Sequence, residues 1–266
     1  MTTPENVDFD ITVPHPARIY DYLLGGEDNY PADRQAAEAA AAVTPDVRSG
    51  ARANRAFLGR AVRYAAEQGV DQFLDLGTGI PGPGNTGVVA RAVNPRARVA
   101  YVDFDPLVAA RSRALLAEGD PELSAVVQAD VRDPHSILGD AAVRAVVDFE
   151  RPVAVVMAAV LHFVADAEDP VGIVKEFADA VPGGSMLLLS HATFGPALDQ
   201  AQEVAKNWQN ATARLSLRTV EGVRALLAGW ELVEPGFVPV PYWRPDGELP
   251  EDADRIHIYG AVGIKP

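Results

Sequence analysis

The feature that most constrains this chain is a change of rhythm at residue 70. From there to residue 190, short apolar runs at 72–76, 98–102, 125–128, 152–158 and 185–190 alternate with helical stretches at 85–93, 106–117 and 170–180. Apolar runs of strand length separated by helices predict a mostly parallel sheet with a helix layer on each face. Ahead of the change, 17–24, 32–43 and 46–68 predict three helices, stopped by Gly25-Gly26, Pro45 and Gly69. Beyond it, 229–240 and 256–263 predict two strands joined by a polar, Pro-rich loop, an antiparallel pair at one sheet edge. The expected fold class is therefore α/β: a mostly parallel seven-stranded sheet with an antiparallel edge pair. Residues 1–69 are expected to form a tail and helical lid, and 70–266 a single sheet unit.

Open sheets of this kind bind ligands at the carboxyl ends of their strands, where strand order reverses. The first expected strand ends in Asp75-Leu76-Gly77-Thr78-Gly79, whose glycines allow a sharp turn and close backbone approach to a ligand. The second ends at Asp103, placed to accept from both hydroxyls of a ribose, and the third runs into Asp130, which can accept from an exocyclic adenine amine. Three such ends in succession predict a nucleoside ligand. With Gly82 the turn formally reads G-x-G-x-x-G, which would also suit a dinucleotide. Pro81 and Pro83 interrupt the loop where a pyrophosphate would meet a helix, and a long helical segment precedes the first strand. S-Adenosylmethionine, with a carboxylate and an amine but no pyrophosphate, suits the looser loop better.

Composition narrows the partners. The net charge of −14 repels phosphate backbones and anionic lipid, so neither nucleic acid nor a membrane is an expected partner. The longest apolar run, 153–160, is too short to span a bilayer, and residues 1–13 lack the basic start and apolar core of a secretory signal. A soluble cytoplasmic protein is expected. The absence of cysteine excludes disulfides, thiolate metal sites and cysteine nucleophiles. The five histidines show no metal-ligand spacing, so no metal is expected, and there is no G-x-S-x-G elbow for a serine hydrolase.

The segment Pro14-His15-Pro16-Ala17-Arg18-Ile19-Tyr20-Asp21-Tyr22-Leu23-Leu24-Gly25-Gly26-Glu27-Asp28-Asn29-Tyr30-Pro31-Ala32-Asp33 resembles the opening of a family of S-adenosylmethionine-dependent methyltransferases abundant in actinobacteria. The likeness continues through Asn54-Arg55, the glycine turn, Tyr101-Val102-Asp103, Val160-Leu161-His162-Phe163-Val164, Ser190-His191 and Trp243-Arg244-Pro245. The resemblance implies a class I, Rossmann-like methyltransferase. It places Asp75, Gly77 and Gly79 at the methionine end of the cofactor, Asp103 at the ribose, Asp130 and Val131 at the adenine, and Ala158 and Ala159 beside the sulfonium. One departure stands out: where the family often carries a His-Glu pair near the start of the next helix, this chain has Gly87 and Val88.

Methyl transfer needs alignment more than activation, and a base only where the acceptor must lose a proton. His162 and His191, at the carboxyl ends of the fourth and fifth strands, are the candidate bases. Arg18 suits either a clamp on a carboxylate or a salt bridge that fixes the lid. Asn29 and Tyr30, in the polar loop after Gly25-Gly26, could fold over the cofactor, and Tyr20, Tyr22, Trp208 and Trp243 could line an acceptor pocket. The expected activity is methylation of a small-molecule acceptor at oxygen or nitrogen. The alternative is a catalytically silent S-adenosylmethionine-binding sensor, to which the Gly87-Val88 departure and the lack of a strong base point.

Overall fold

The computed structural model describes residues 10–82, 84–116, 120, 122–193, 212, 214–216 and 218–266. Pro83, Trp208 and the tail before residue 10 lie outside them. Three helices open the chain. In α1 (Pro16–Leu24), the His15 ring accepts from the Ala17 N–H, Pro16 occupies the first turn, and Gly25 ends the helix at φ 87°. α2 spans Pro31–Val43. α3 (Val47–Glu67) turns its buried stripe, including Phe57, Leu58, Ala61, Val62 and Ala65, onto the sheet.

The strands are β1 (Gln72–Leu76), β2 (Arg98–Asp103), β3 (Ser124–Gln128), β4 (Ala154–Ala158), β5 (Met186–Ala192), β6 (Glu231–Leu232), β7 (Val238–Pro239) and β8 (Ile258–Ile264). They lie in the order β3-β2-β1-β4-β5-β8-β6, with β7 also paired to β8. The first five are mutually parallel, and β8 runs antiparallel to β5, β6 and β7. The chain builds outward from β1 to β3, then returns to lay β4 on the other side of β1. Strand order therefore reverses between β1 and β4, and a crevice opens above their carboxyl ends.

All five residues of β1 are buried, and successive side chains enter different cores. Leu74 and Leu76 join one cluster with Val155, Leu187 and Phe177; Phe73 joins the other with α3, Val99, Val156 and Leu188. Phe57 locks α3 down. Its ring meets Trp243 edge-on at 5.4 Å and lies against Gly260, where an added Cβ would sit 2.7 Å from it. Trp243 is thus a core residue and does not line the acceptor pocket.

The remaining helices are α4 (Thr86–Val93), α5 (Pro106–Leu116), α6 (Pro134–Gly139), α7 (Ala141–Val146), α8 (Pro170–Asp179) and α9 (Val220–Arg224). The expected fold class holds, with eight strands among the described residues where seven were expected. The segment expected as one strand over 229–240 is divided by a turn at Glu234-Pro235-Gly236, where Gly236 has φ 87° and donates to the Val233 carbonyl. Among the described residues, no helix is long and apolar enough to cross a membrane.

Candidate active site

A cavity of about 910 Å³ opens at the strand-order reversal. Its floor is made by the ends of β1, β2, β3 and β4, and its far wall by α1, α3 and the segment leading into β8. All eight residues expected at the cofactor line it: Asp75, Gly77, Gly79, Asp103, Asp130, Val131, Ala158 and Ala159.

The turn after β1 is fixed from below. The amides of Gly77 and Thr78 both donate to the Val102 carbonyl, at 2.8 and 3.2 Å. Gly77 (φ 70°) cannot be replaced, because a Cβ there would come within 2.4 Å of Val160. Asp75 Oδ2 accepts from the hydroxyls of Thr86 (2.7 Å) and Thr78 (3.1 Å). Burial pushes the Asp75 carboxyl above its ordinary range, opposed by these two hydroxyls. Asp103 holds one backbone amide on each oxygen: Gly79 on Oδ2 at 2.8 Å and Asp105 on Oδ1 at 2.9 Å. It too is pushed upward by burial, against the pull of those amides. Each oxygen keeps a lone pair for a further donor. Asp130 is already engaged by the Arg132 guanidinium, and Arg132 reaches Glu168 at 2.7 Å. Burial would raise the Asp130 carboxyl, but the Arg132 hydrogen bonds outweigh it and the net shift is downward.

After β4 the chain turns through Ala159 in the left-handed conformation (φ 58°), held by its N–H to the Ser190 carbonyl at 3.0 Å. A non-glycine residue there costs about 1–2 kcal/mol. The turn tucks Val160 beneath Gly77 and carries His162 to the cavity wall.

The two histidines differ. His162 lines the cavity and is 7% exposed. Its Nδ1 accepts from the Ala192 backbone N–H at 3.2 Å. An amide can only donate, so the neutral ring carries its proton on Nε2. Burial, with His191 and Arg218 nearby, lowers its pKa well below 6.5. With Nδ1 taken up by that amide and Nε2 protonated, the neutral His162 ring has no free lone pair to act as a base. His191 does not line the cavity. It is 0% exposed; its Nδ1 donates to the Ala192 carbonyl at 2.6 Å and its Nε2 accepts from Arg218 at 3.0 Å. Burial lowers its pKa to about 4. Arg218 also donates to Asp166 and to the carbonyls of Leu161 and Val164, so the pair ties β5 to the loop after β4. Both ring nitrogens of His191 are committed within the protein, which corrects its reading as a base.

The N-terminal segment also divides. His15, Ala17 and Tyr20 line the cavity, whereas Arg18, Tyr22, Asn29 and Tyr30 do not. Arg18 is buried between Asp33 (3.7 Å) and Asp105 (3.6 Å), the salt-bridge role and not the carboxylate clamp. Tyr22 turns outward to Glu38, and Arg48 stacks over its ring. Asn29 donates to Asp21 and to the Gly26 carbonyl, so it braces its own loop. The Tyr30 amide donates to Asp33 at 2.8 Å. It is α1, and not the loop after it, that closes over the cavity.

Among the cavity residues that the sequence reading did not single out, four stand out. Asn54 accepts from the Ser190 hydroxyl and donates to the Tyr20 hydroxyl (3.0 Å), which in turn donates to the Ala51 carbonyl. Phe104, next to Asp103, is 57% exposed at the cavity rim. Arg55 faces the loop after the glycine turn, and His257 stands just before β8. An aromatic directly after a strand-end acid was the one available signal; the other three depend on contacts far apart in sequence. Gly87 and Val88 do not line the cavity. A Cβ at Gly87 would sit 2.1 Å from the Tyr101 hydroxyl, which accepts the Gly87 N–H, and Val88 points to solvent. Among the described residues, no cluster of three or more His, Asp or Glu could hold a metal ion.

A sheet of this order, with a glycine turn after β1 and acids closing β1 and β2, defines an α/β nucleoside-binding enzyme of the methyltransferase class. The chain belongs to the S-adenosyl methyltransferase family, whose model matches residues 2–266. Its cofactor is S-adenosylmethionine. Two solved structures share the fold over nearly the whole length. A DUF574 family protein from Streptomyces avermitilis is 43% identical, with a TM-score of 0.90, covering 96% of this chain and 98% of that one. A candidate methyltransferase from Thermobifida fusca is 39% identical, with a TM-score of 0.90, covering 96% of each chain. The N-methyltransferase NodS from Bradyrhizobium japonicum shares the fold alone, at 13% identity and a TM-score of 0.50, covering 83% of this chain and 99% of that one. No curated protein matches the chain.

Proposed function

We propose that this methyltransferase acts on a small-molecule acceptor, at oxygen or nitrogen, bound in the same cavity as the methyl donor. The observation that carries this reading is the cavity itself. At about 910 Å³ it lies near the top of the range for small-molecule sites, about 300–1,000 Å³, and it extends past the strand ends to a second wall of Ala51, Leu58, Ile256 and Ile258. Such a volume suits two small ligands end to end.

The residues present fit S-adenosylmethionine. The open lone pairs of Asp103 suit ribose hydroxyls, Phe104 and Val131 offer apolar surface to the adenine, and Gly77, Ala158 and Ala159 leave room for the sulfonium. When bound, the donor supplies a methyl carbon activated by the adjacent positive sulfur. Attack on that carbon by the acceptor's lone pair would displace S-adenosylhomocysteine, the carbon–sulfur bonding pair leaving on sulfur. The protein's part is alignment and exclusion of water. His162 orients the acceptor through its Nε2–H, and an amine acceptor releases its surplus proton after transfer, so no base need stand beside the methyl group. α1 acts as the lid, pinned by Arg18 between Asp33 and Asp105. The silent-sensor alternative loses support, because the Gly87-Val88 departure that favoured it lies away from the cavity.

The test is calorimetry with S-adenosylmethionine and S-adenosylhomocysteine, followed by a methyl-transfer screen against a small-metabolite extract that reads S-adenosylhomocysteine formation. Turnover with low-molecular-weight acceptors is expected. Turnover only with nucleic acid or protein acceptors would overturn the proposal.

A further inference from the structure

The ends of β4 and β5 frame one side of the cavity. Ala158 pairs with Ser190 across these strands, and the Ala159 N–H donates to the Ser190 carbonyl at 3.0 Å. A hydrogen-bond network runs from Ser190 to α3 and α1, and its direction is fixed. The Ala51 carbonyl can only accept, so it takes the one hydroxyl proton of Tyr20 at 2.9 Å. The Tyr20 oxygen must then accept, which turns the Asn54 amide nitrogen towards it at 3.0 Å. Asn54 Oδ1 in turn takes the Ser190 hydroxyl proton. One polar hydrogen of the network is left over, the second N–H of Asn54 Nδ2, and no acceptor among the described residues takes it. Two residues on, about 7 Å along β5, the Ala192 amide holds His162 Nδ1. This leaves a second N–H, on His162 Nε2, equally without an acceptor among the described residues. Both side chains line the cavity, at 3% and 7% exposure. Arg214 lines it as well, at its exposed edge, and forms no ion pair among the described residues. It stands two residues from Ser216, whose amide donates to the His162 carbonyl at 2.7 Å.

Buried N–H groups without an acceptor are costly, and a ligand that accepts from both removes the cost. A cation at the entrance favours a ligand that is also an anion. We infer that the methyl acceptor is the carboxylate of a small apolar acid, received by the free N–H groups of Asn54 and His162 with Arg214 at the entrance, and that the product is its methyl ester. The inference rests on the reading that donor and acceptor share this cavity. A carboxylate has lone pairs enough to hold both N–H groups and still present one to the methyl carbon. The wall of Ala51, Leu58, Ile256 and Ile258 takes the apolar body of the acid. The step balances without a proton. A carboxylate oxygen forms the bond to the methyl carbon, the carbon–sulfur pair leaves on sulfur, and the negative carboxylate and positive sulfonium become an uncharged ester and thioether. This suits the groups at hand. Tyr20 gives its phenolic proton to Ala51 and burial holds that proton on, while His162 Nδ1 is taken up by an amide. An alcohol acceptor would need a base where these two stand, and an amine would turn N–H groups of its own towards N–H donors.

The experiment incubates the full-length protein with S-adenosylmethionine carrying a tritiated methyl group and a small-metabolite extract, split by anion exchange into retained and unretained fractions. Mild alkali hydrolyses a methyl ester to volatile methanol and leaves methyl ethers and methylamines intact. Label should appear in products of the retained fraction and leave as methanol on alkaline treatment. Alkali-stable label overturns the inference, and so does label formed only from the unretained fraction. No label from either fraction brings down the underlying small-molecule reading, and this inference with it. Asn54→Asp sets an anion where a donor is inferred. It should lower kcat/KM for the acceptor isolated from the retained fraction by about 10- to 100-fold, with unchanged affinity for S-adenosylhomocysteine. Unchanged or raised activity of this variant overturns the inference. Should Asn54→Asp not fold, Arg214→Glu, at an exposed position, carries the comparison: the acceptor KM should rise about threefold or more while donor affinity holds. A KM equal to that of wild type overturns the inference.

Discussion

His191 offers a test in which a buried contact becomes a measurable pH dependence. Its ring is enclosed, with Nε2 facing the Arg218 guanidinium and Nδ1 facing a carbonyl, and burial takes its pKa from 6.5 to about 4. Above pH 6.5 the ring is neutral in both folded and unfolded chains, and its full contribution is present. As the pH falls below 6.5, the unfolded chain takes up a proton that the folded chain refuses until about pH 4, so stability is lost across that window. The linkage relation gives a loss of about 2 kcal/mol at pH 5 and about 3 kcal/mol at pH 4 from this one residue. Because the side chain is fully buried, no discount for solvent screening applies. The perturbation is His191→Gln, which can still present an oxygen to Arg218 but cannot titrate. Urea unfolding of both proteins at pH 8, 7, 6 and 5 isolates the term, since the buried carboxylates and His162 are common to both. The variant should be the less stable at pH 8, by about 1–3 kcal/mol for the disturbed Arg218 network, and the gap should narrow by about 2 kcal/mol at pH 5. Parallel stability curves, with a gap constant to within about 0.5 kcal/mol, would refute the reasoning. So would an imidazole resonance of His191 titrating near 6.5 in the folded protein.

Three further outcomes are expected. Asp103→Ala should weaken S-adenosylmethionine binding by about 1–3 kcal/mol in calorimetry, because both the ribose and the Gly79 amide lose an acceptor; unchanged affinity would remove Asp103 from the site. Phe104→Ala should weaken binding by about 1–2 kcal/mol, the scale of a lost aromatic stack on a base, while the melting temperature stays put because the ring is 57% exposed. A matched drop in melting temperature would mark it as a packing residue instead. Gly87→Ala should destabilise the fold by about 1–3 kcal/mol with little effect on binding, since its Cβ would displace the Tyr101 hydroxyl that takes the Gly87 amide; denaturant unfolding of a variant as stable as wild type would contradict this.

Much of the fold was legible. Runs such as Phe73-Leu74-Asp75-Leu76, bounded by turn residues, have one reasonable reading, and the boundaries of α1, α2, α3 and α8 carry proline or glycine signals. α6, α7 and α9 were missed because elements of five or six residues complete too few turns to show a helical period. The single strand expected over 229–240 was drawn too long: Pro235-Gly236 is a turn signal in the sequence itself, and β6 and β7 pair with β8 on either side of it.

The candidate site was legible where it lies on strand ends and illegible where it depends on neighbours. Strand periodicity determines that Asp75, Asp103, Asp130, Ala158 and Ala159 leave the sheet on the same side, because parallel strands put all their carboxyl ends at one edge. This much the sequence determined by itself. It could not say which charges are spent on one another. His162 and His191 look alike in the sequence, yet one meets the Ala192 amide and the other Arg218, and those contacts decide protonation and access. Arg18 likewise reads in the sequence as either a carboxylate clamp or a salt bridge, and packing between Asp33 and Asp105 decides for the salt bridge. Periodicity acts between residues a few positions apart, whereas hydrogen bonding and burial act through space, and so only the tertiary structure assigned these groups their chemistry.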